Sequence, residues 1–235
     1  MKHFLTIAVL FISLSMFGQK KIVWFDIGLK AQYGAAGLYN AAIADNDSKY
    51  DYKIGSGFSY GGKLGINFGY NGLSIDVMKS KASQSFDLTP VTIDWESLDI
   101  YALFRHAKNL GYFEIGPKMS MINKVSNTRG NEKIEFAESL YNKQVFSGVV
   151  GFGANIMGND GRFSGILGLR FEYALTDLDS EDGKKAGAPI LDPTIYANGN
   201  KASNLAFAGV VFELNWGIGY FGKAQCGARS KFIMF

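Results

Sequence analysis

After residue 18 this chain alternates apolar and polar side chains in segment after segment, and no long apolar helix interrupts the pattern. Side chains on a strand point to opposite faces in turn, so period two means a two-faced strand and not a helix. Eight such segments can be read. The first, Ile22 to Tyr33, sets Val23, Phe25, Ile27, Leu29, Ala31 and Tyr33 against Trp24, Asp26, Gly28, Lys30 and Gln32. The second sets Phe58, Tyr60, Leu64, Ile66, Phe68 and Tyr70 against Ser59, Gly61, Lys63, Gly65, Asn67 and Gly69. The third runs from Leu73 to about Ala82. The fourth centres on Leu98 to Phe104; Ile93 and Trp95 upstream are out of phase, which predicts a bulge near Glu96. The fifth spans Phe113 to Met121 and is weakened by Pro117, which cannot donate to a ladder. The sixth spans Phe146 to Ile156, the seventh Phe163 to Leu175, and the eighth Ala206 to Ile218.

The connections alternate as well. Short turns are expected at Tyr70-Asn71-Gly72, at Arg105 to Asn109 and at Gly158-Asn159-Asp160-Gly161, where Asn-Gly and Asp-Gly tolerate positive φ. Longer loops are expected at 34–55, 82–92, 124–143 and 177–202. Short turns at one end and long loops at the other are the habit of an up-and-down transmembrane β-barrel.

Alternation also fits a soluble eight-stranded lipocalin-like barrel with its apolar face inward, and sterics separate the two. An eight-stranded barrel has an interior just wide enough to be filled by side chains. The large rings would overfill it, whereas the opposite face is rich in Gly and Ser. The chain has 29 glycines and 14% aromatic residues. The charges on the small-residue face nearly balance. They are Asp26, Asp76, Asp99, Glu114, Glu172 and Glu213 against Lys30, Lys63, Arg105, Lys118 and Arg170. A buried charge must be paired, so this set reads as a network filling a lumen. Tyr33, Tyr70, Tyr173, Trp216 and Tyr220 suit interfacial girdles, while Tyr112 falls on the inner face.

Residues 1–18 read as a signal peptide: Lys2, then the uncharged run Phe4 to Phe17, then small Gly18 before Gln19-Lys20-Lys21. The expected division is 1–18 signal peptide, 19–221 barrel and 222–235 a basic tail. Export places the chain in the cell outer membrane, with both ends of the barrel on the periplasmic side. Cys226 is the single cysteine, so no internal disulfide forms and no lipid-modified cysteine follows the apolar run. A formal charge of +3 with no basic block leaves no footprint for nucleic acid.

The Ser15-Met16-Phe17-Gly18-Gln19 junction and the Gly-aromatic strands resemble those of Bacteroidota outer-membrane barrels, in the broad OmpA-like and PorT-like group. The resemblance covers the mature chain as a pattern and carries no catalytic residue. It implies barrel-assembly machinery as a partner during insertion and, for some members, a role beside a type IX secretion system. Tyr220-Phe221 closes the last strand where such barrels end, but here the chain continues to Phe235.

Chemistry-bearing residues are few. His106 lies in an expected short turn without a nucleophile beside it, so a solvated residue is the reading. No cofactor and no metal are expected. Asp177 to Gly183 has the oxygens of a calcium loop, but its Gly comes one place late and the closing Glu is missing, leaving an exposed acidic loop. Tyr39, Tyr50 and Tyr52 in loop 34–55 are candidates for contact with an extracellular or secretion-system protein. Loop 124–143 has a helical face at Ile134, Ala137 and Tyr141. The expected function is a non-enzymatic structural or interaction barrel with extracellular loops; a narrow pore and a soluble ligand-binding barrel are the alternatives.

Overall fold

A computed structural model describes residues 23–218, apart from 46, 88–89, 109, 131, 135–136, 159–162, 193 and 195–200. The signal peptide, the tail, Cys226 and most of the expected turn at 158–161 lie outside the described residues. Eight long strands close into an antiparallel ring. They are β1 (Val23–Tyr39), β2 (Gly55–Phe68), β3 (Asn71–Phe86), β4 (Val91–Lys108), β5 (Gly111–Arg129), β7 (Gln144–Met157), β8 (Phe163–Ala174) and β9 (Asn204–Ile218). Each pairs with its neighbours in sequence, β4 pairs with β5, and β9 returns to β1. The three-residue β6 (Glu132–Ile134) is an annex on the top of β5. The fold is therefore the eight-stranded up-and-down barrel that the alternation predicts.

The strands run further than the periodicity suggested. β1 continues to Tyr39, and β3 and β4 fill most of the segment 82–92 expected as a loop, leaving only residues 87–90 as a connection. The first hairpin also corrects a turn: Phe68 pairs with Asn71, so Gly69-Tyr70 makes the bend and Asn71-Gly72 opens β3. Gly69 takes φ +67, which an L side chain resists. Pro117 stays within β5, exposed on the outer surface opposite Gly148. The bulge lies where β4 predicts it but belongs to the partner strand. Glu96 pairs with Lys124 and Ser97 with Ile122, so Asn123 of β5 is the extra residue.

β4 itself alternates without a break, with Val91, Ile93, Trp95, Ser97, Asp99, Tyr101, Leu103 and Arg105 all buried inside. What changes along it is polarity. In the lower part the outer face is Leu98, Ile100, Ala102 and Phe104, and the inner face is mainly polar, with Leu103 in a buried cluster with Met78, Tyr101 and Val149; above Ser97 the outer face is Thr92, Asp94 and Glu96 and the inner face is apolar. β3 does the same: Leu73, Ile75 and Val77 face out, followed by Lys79, Lys81, Ser83 and Ser85. The out-of-phase residues are in phase with the strand and out of phase only with its lower half.

Candidate functional site: the barrel lumen and its cap

The lower lumen is a packed ionic core. All eleven charged residues expected on the inner face sit inside the wall, ten of them buried and Lys118 nearly so. Glu213 on β9 is the hub. It meets Lys30 at 3.1 Å, Lys63 at 2.7 Å and Arg105 at 2.8 Å. Lys30 also pairs with Asp76, and Lys63 with Asp26 at 2.8 Å. Glu114 takes Arg105 and Arg170 at 2.6 Å each. Asp76 lies 3.6 Å from Arg170. A second group, Lys118 between Glu172 at 2.6 Å and Asp99 at 3.0 Å, joins the first through Gln32. The Gln32 amide donates to Glu172 and accepts from Arg170.

The rings inside the wall belong to this core. Arg105 lies 4.4 Å from the ring centre of Tyr112, and Arg170 4.9 Å from that of Tyr101, whose hydroxyl donates to Glu172. Inner-face glycines leave room for the long side chains. A Cβ on Gly65 would overlap the Asp26 carboxylate, and one on Gly151 would press on Glu114. Arg170 and Glu213 are fully shielded from solvent, so the bottom of the lumen is filled by protein. Above it a cavity of about 40 Å³ lies among Gln32, Ser59, Ser97, Asp99, Lys118 and Glu172, which is room for two or three waters.

The upper lumen is apolar and closed by the long loops. Ala36, Leu38, Ala82, Phe86, Val91, Ile93, Trp95, Val125 and Val145 line the wall, and Ile43, Tyr50, Tyr141, Leu178, Ala188 and Ile190 descend from the loops to pack among them. Two short helices, Ala41–Ala44 and Asp47–Tyr50, cross from β1. The predicted helical face in 124–143 is instead β6 followed by a 3₁₀ turn at Ala137–Leu140. A helix at Glu181–Ala186 is capped by Ser180, whose hydroxyl accepts from the Gly183 amide, and it ends at Gly187 in the left-handed region. Cross-links tie the loops together. Asn40 donates to Lys201 O and Ser203 Oγ, Asn142 to the carbonyls of Asp177 and Asp179, and Asn127 to Pro189 O.

This cap corrects two expectations. Of the tyrosines proposed as contact residues, Tyr39 is exposed, Tyr52 is half-buried edge-on to Phe86, and Tyr50 is buried at the centre of the cap. Tyr50 belongs to the same buried apolar cluster as Ile43 and Phe86, and its hydroxyl donates to Asp192. The acidic loop is not wholly exposed either. Asp179 is buried beneath it; one carboxylate oxygen accepts from Ser203 and the other has no hydrogen-bond partner. Burial, and then the neighbouring Asp177, push its carboxyl up to about 7 against the Ser203 hydrogen bond and the Lys184 charge. Lys184 itself closes on Asp177 at 2.9 Å.

Among the described residues no cluster of three or more His, Cys, Asp or Glu side chains is placed to hold a metal. His106 is exposed at the short-turn end, 2.8 Å from Asn71 Oδ1.

The molecule is thus a closed β-barrel with a charged plug below and an apolar, loop-covered core above. No protein-family model matches the chain, and no curated protein matches it. Among solved structures it is similar to the crystal structure of Neisserial surface protein A, NspA. The TM-score is 0.42 at 11% identity, over 80% of this chain and 95% of that one. It is also similar to the translocator domain of the autotransporter NalP from Neisseria meningitidis. There the TM-score is 0.33 at 9% identity, over 92% of this chain and 95% of that one. Neither likeness is close enough to transfer a role.

Proposed function

We propose that the chain is an integral outer-membrane barrel, closed to solutes, that serves a structural or interaction role through its capped outer end and performs no chemistry. The observation that carries this is the apolar belt. Val23, Phe25, Ile27, Leu29, Leu64, Ile66, Leu73, Ile75, Phe113, Ile115, Phe152, Leu167, Leu169, Phe171, Val210 and Trp216 are all exposed on the outside of a wall whose inside is ionic. Soluble proteins do not present so large a continuous apolar surface to water. The belt runs from Val23 to Tyr33 on β1 and from Phe113 to Met121 on β5, close to the nine to eleven residues that a tilted strand uses to cross a bilayer. The soluble-barrel alternative would require these rings inside.

Membership of the small Bacteroidota barrels and a place beside a type IX-like secretion system rest on the sequence resemblance. The narrow-pore alternative has little room, given the filled lower lumen. Fractionation should recover the protein with the outer membrane, and the folded form should migrate differently from the boiled form on a gel. Recovery from the periplasm without detergent would overturn the membrane reading. Steady large conductance in single-channel recordings would overturn the closed lumen.

A further inference from the structure

Among the described residues, a cluster of outward charges stands on β3, β4 and β5 at the top of the apolar belt. Along one hydrogen-bonded row Lys79 pairs with Leu98 and Leu98 with Met121; one row higher Lys81 pairs with Glu96 and Glu96 with Lys124. The wall therefore passes from aliphatic to charged in a single step. Lys79, Lys81 and Lys124 are all exposed, and Lys81 is 3.2 Å from Glu96. Asp94, paired with Ser83 and Ser126, lies a further row up. Three cations thus surround one carboxylate, with a second carboxylate farther out. On the β2 side the same rows continue into Phe58 and Tyr60, which face outward with ring centres 5.8 Å apart. Aromatic rings of this kind favour the headgroup level of a bilayer. The lysines beside them stand where their stems lie along apolar wall and their ammonium groups reach the headgroups.

We propose that Lys79, Lys81 and Lys124 hold the phosphate of an outer-leaflet lipid headgroup against the outside of β3, β4 and β5. The acyl chains would continue down the apolar wall formed by Val77, Ile100 and Met119. One feature favours a lipid over a soluble anion: the cluster continues directly into the apolar belt, which acyl chains would cover and a free phosphate would not. The site rests on the membrane-spanning reading.

The test is native mass spectrometry of the full-length barrel, folded in detergent and checked by heat-modifiability, in the presence of lipid A or of phosphatase-treated lipid A. The wild type should retain lipid A and shed the treated form, and excess inorganic phosphate should not displace the lipid. Each of Lys79→Gln, Lys81→Gln and Lys124→Gln should weaken retention about fivefold, the effect of one lysine near an anionic surface. Glu96→Gln should strengthen it. Equal retention of treated and untreated lipid, displacement by free phosphate, or a triple variant that retains lipid as the wild type does would each overturn the proposal. A barrel that shifts on the gel but holds no lipid A defeats this site alone; a chain with no heat-modifiable form defeats the spanning reading beneath it.

Discussion

The two halves of the lumen are built from opposite materials by the same wall. On β3 and β4 the inside below Ser97 and Ser80 is dominated by salt bridges around one small apolar cluster, and the outside is apolar up to Val77 and Leu98; above them the inside is largely aliphatic and aromatic and the outside carries Lys, Asp, Glu and Thr. A β-wall has two faces and period two, so whatever medium lies outside fixes which residues are left for the inside. On the proposed membrane-spanning reading the lower wall faces lipid, which leaves its polar residues to the inside, where they pair with one another. Where water is outside, the wall reverts to the habit of soluble proteins and packs an apolar core, here completed by the loops. The height at which the polarity swaps marks the upper edge of the belt on β3 and β4.

That contrast predicts unequal consequences for substitutions on the two sides. The largest is at the ionic hub. Glu213→Ala leaves Lys30, Lys63 and Arg105 crowded together without their shared carboxylate. Breaking a buried charge set by removing one partner costs about 3–5 kcal/mol. The urea midpoint followed by gel mobility should fall accordingly, or the folded band should disappear. A Glu213→Ala barrel as stable as the wild type would show that the plug is solvated.

The cap should respond to pH in a way the plug does not. Asp179 has its folded-state carboxyl raised to about 7, whereas an open cap returns it to the ordinary carboxylate range. The folded cap therefore holds the proton more tightly than the open one. Its contribution is complete below the open-state value and is lost as pH rises toward 7. Between about pH 5 and pH 7 the cap should lose about 2 kcal/mol. The groups facing Asp179 are Asp177, Lys184, Tyr141 and Ser203. Hydrogen exchange of the Asn142 and Ser203 amides, corrected for intrinsic rates, should accelerate over that range while strand amides around Arg170 stay protected. In Asp179→Asn the acceleration should vanish; its persistence would assign the effect to another group.

Much of the lower half was legible in the sequence because each strand there repeats one rule. Asp26, Lys30 and Gln32 could be placed inside simply by counting from Phe25, Ile27 and Leu29. The upper half was misread for a definite reason. Ser83 and Ser85 alternate with Ala82, Gln84 and Phe86, which continues the strand periodicity of Lys79 and Lys81, but with the polarity reversed the segment from residue 82 onward reads as a loop. Reading the period separately from its sign would have extended β3 to Phe86 and made Ile93 and Trp95 core residues. The pairing of charges and the burial of Tyr50 and Asp179 had no local signal, since each depends on residues distant in the chain. Tyr50, for example, meets Asp192 across 142 positions.

The smallest effect is the sharpest test of the two-sided wall. Lys81 and Glu96 form an ion pair at 3.2 Å on adjacent strands, with chemistry little different from that of Lys63 and Glu213 at 2.7 Å. The difference is the medium. Lys81 and Glu96 side chains are 66% and 30% exposed, while those of Lys63 and Glu213 are essentially buried. An exposed pair gains little Coulomb energy and gives up side-chain freedom, so Glu96→Ala should leave stability almost unchanged. The same urea series that registers Glu213→Ala should hardly move. If Glu96→Ala proved as costly as Glu213→Ala, the outer face at that height would have to be as poorly hydrated as the lumen. The belt would then extend above Ser97, and the polarity swap on β4 would no longer mark where the wall leaves the lipid.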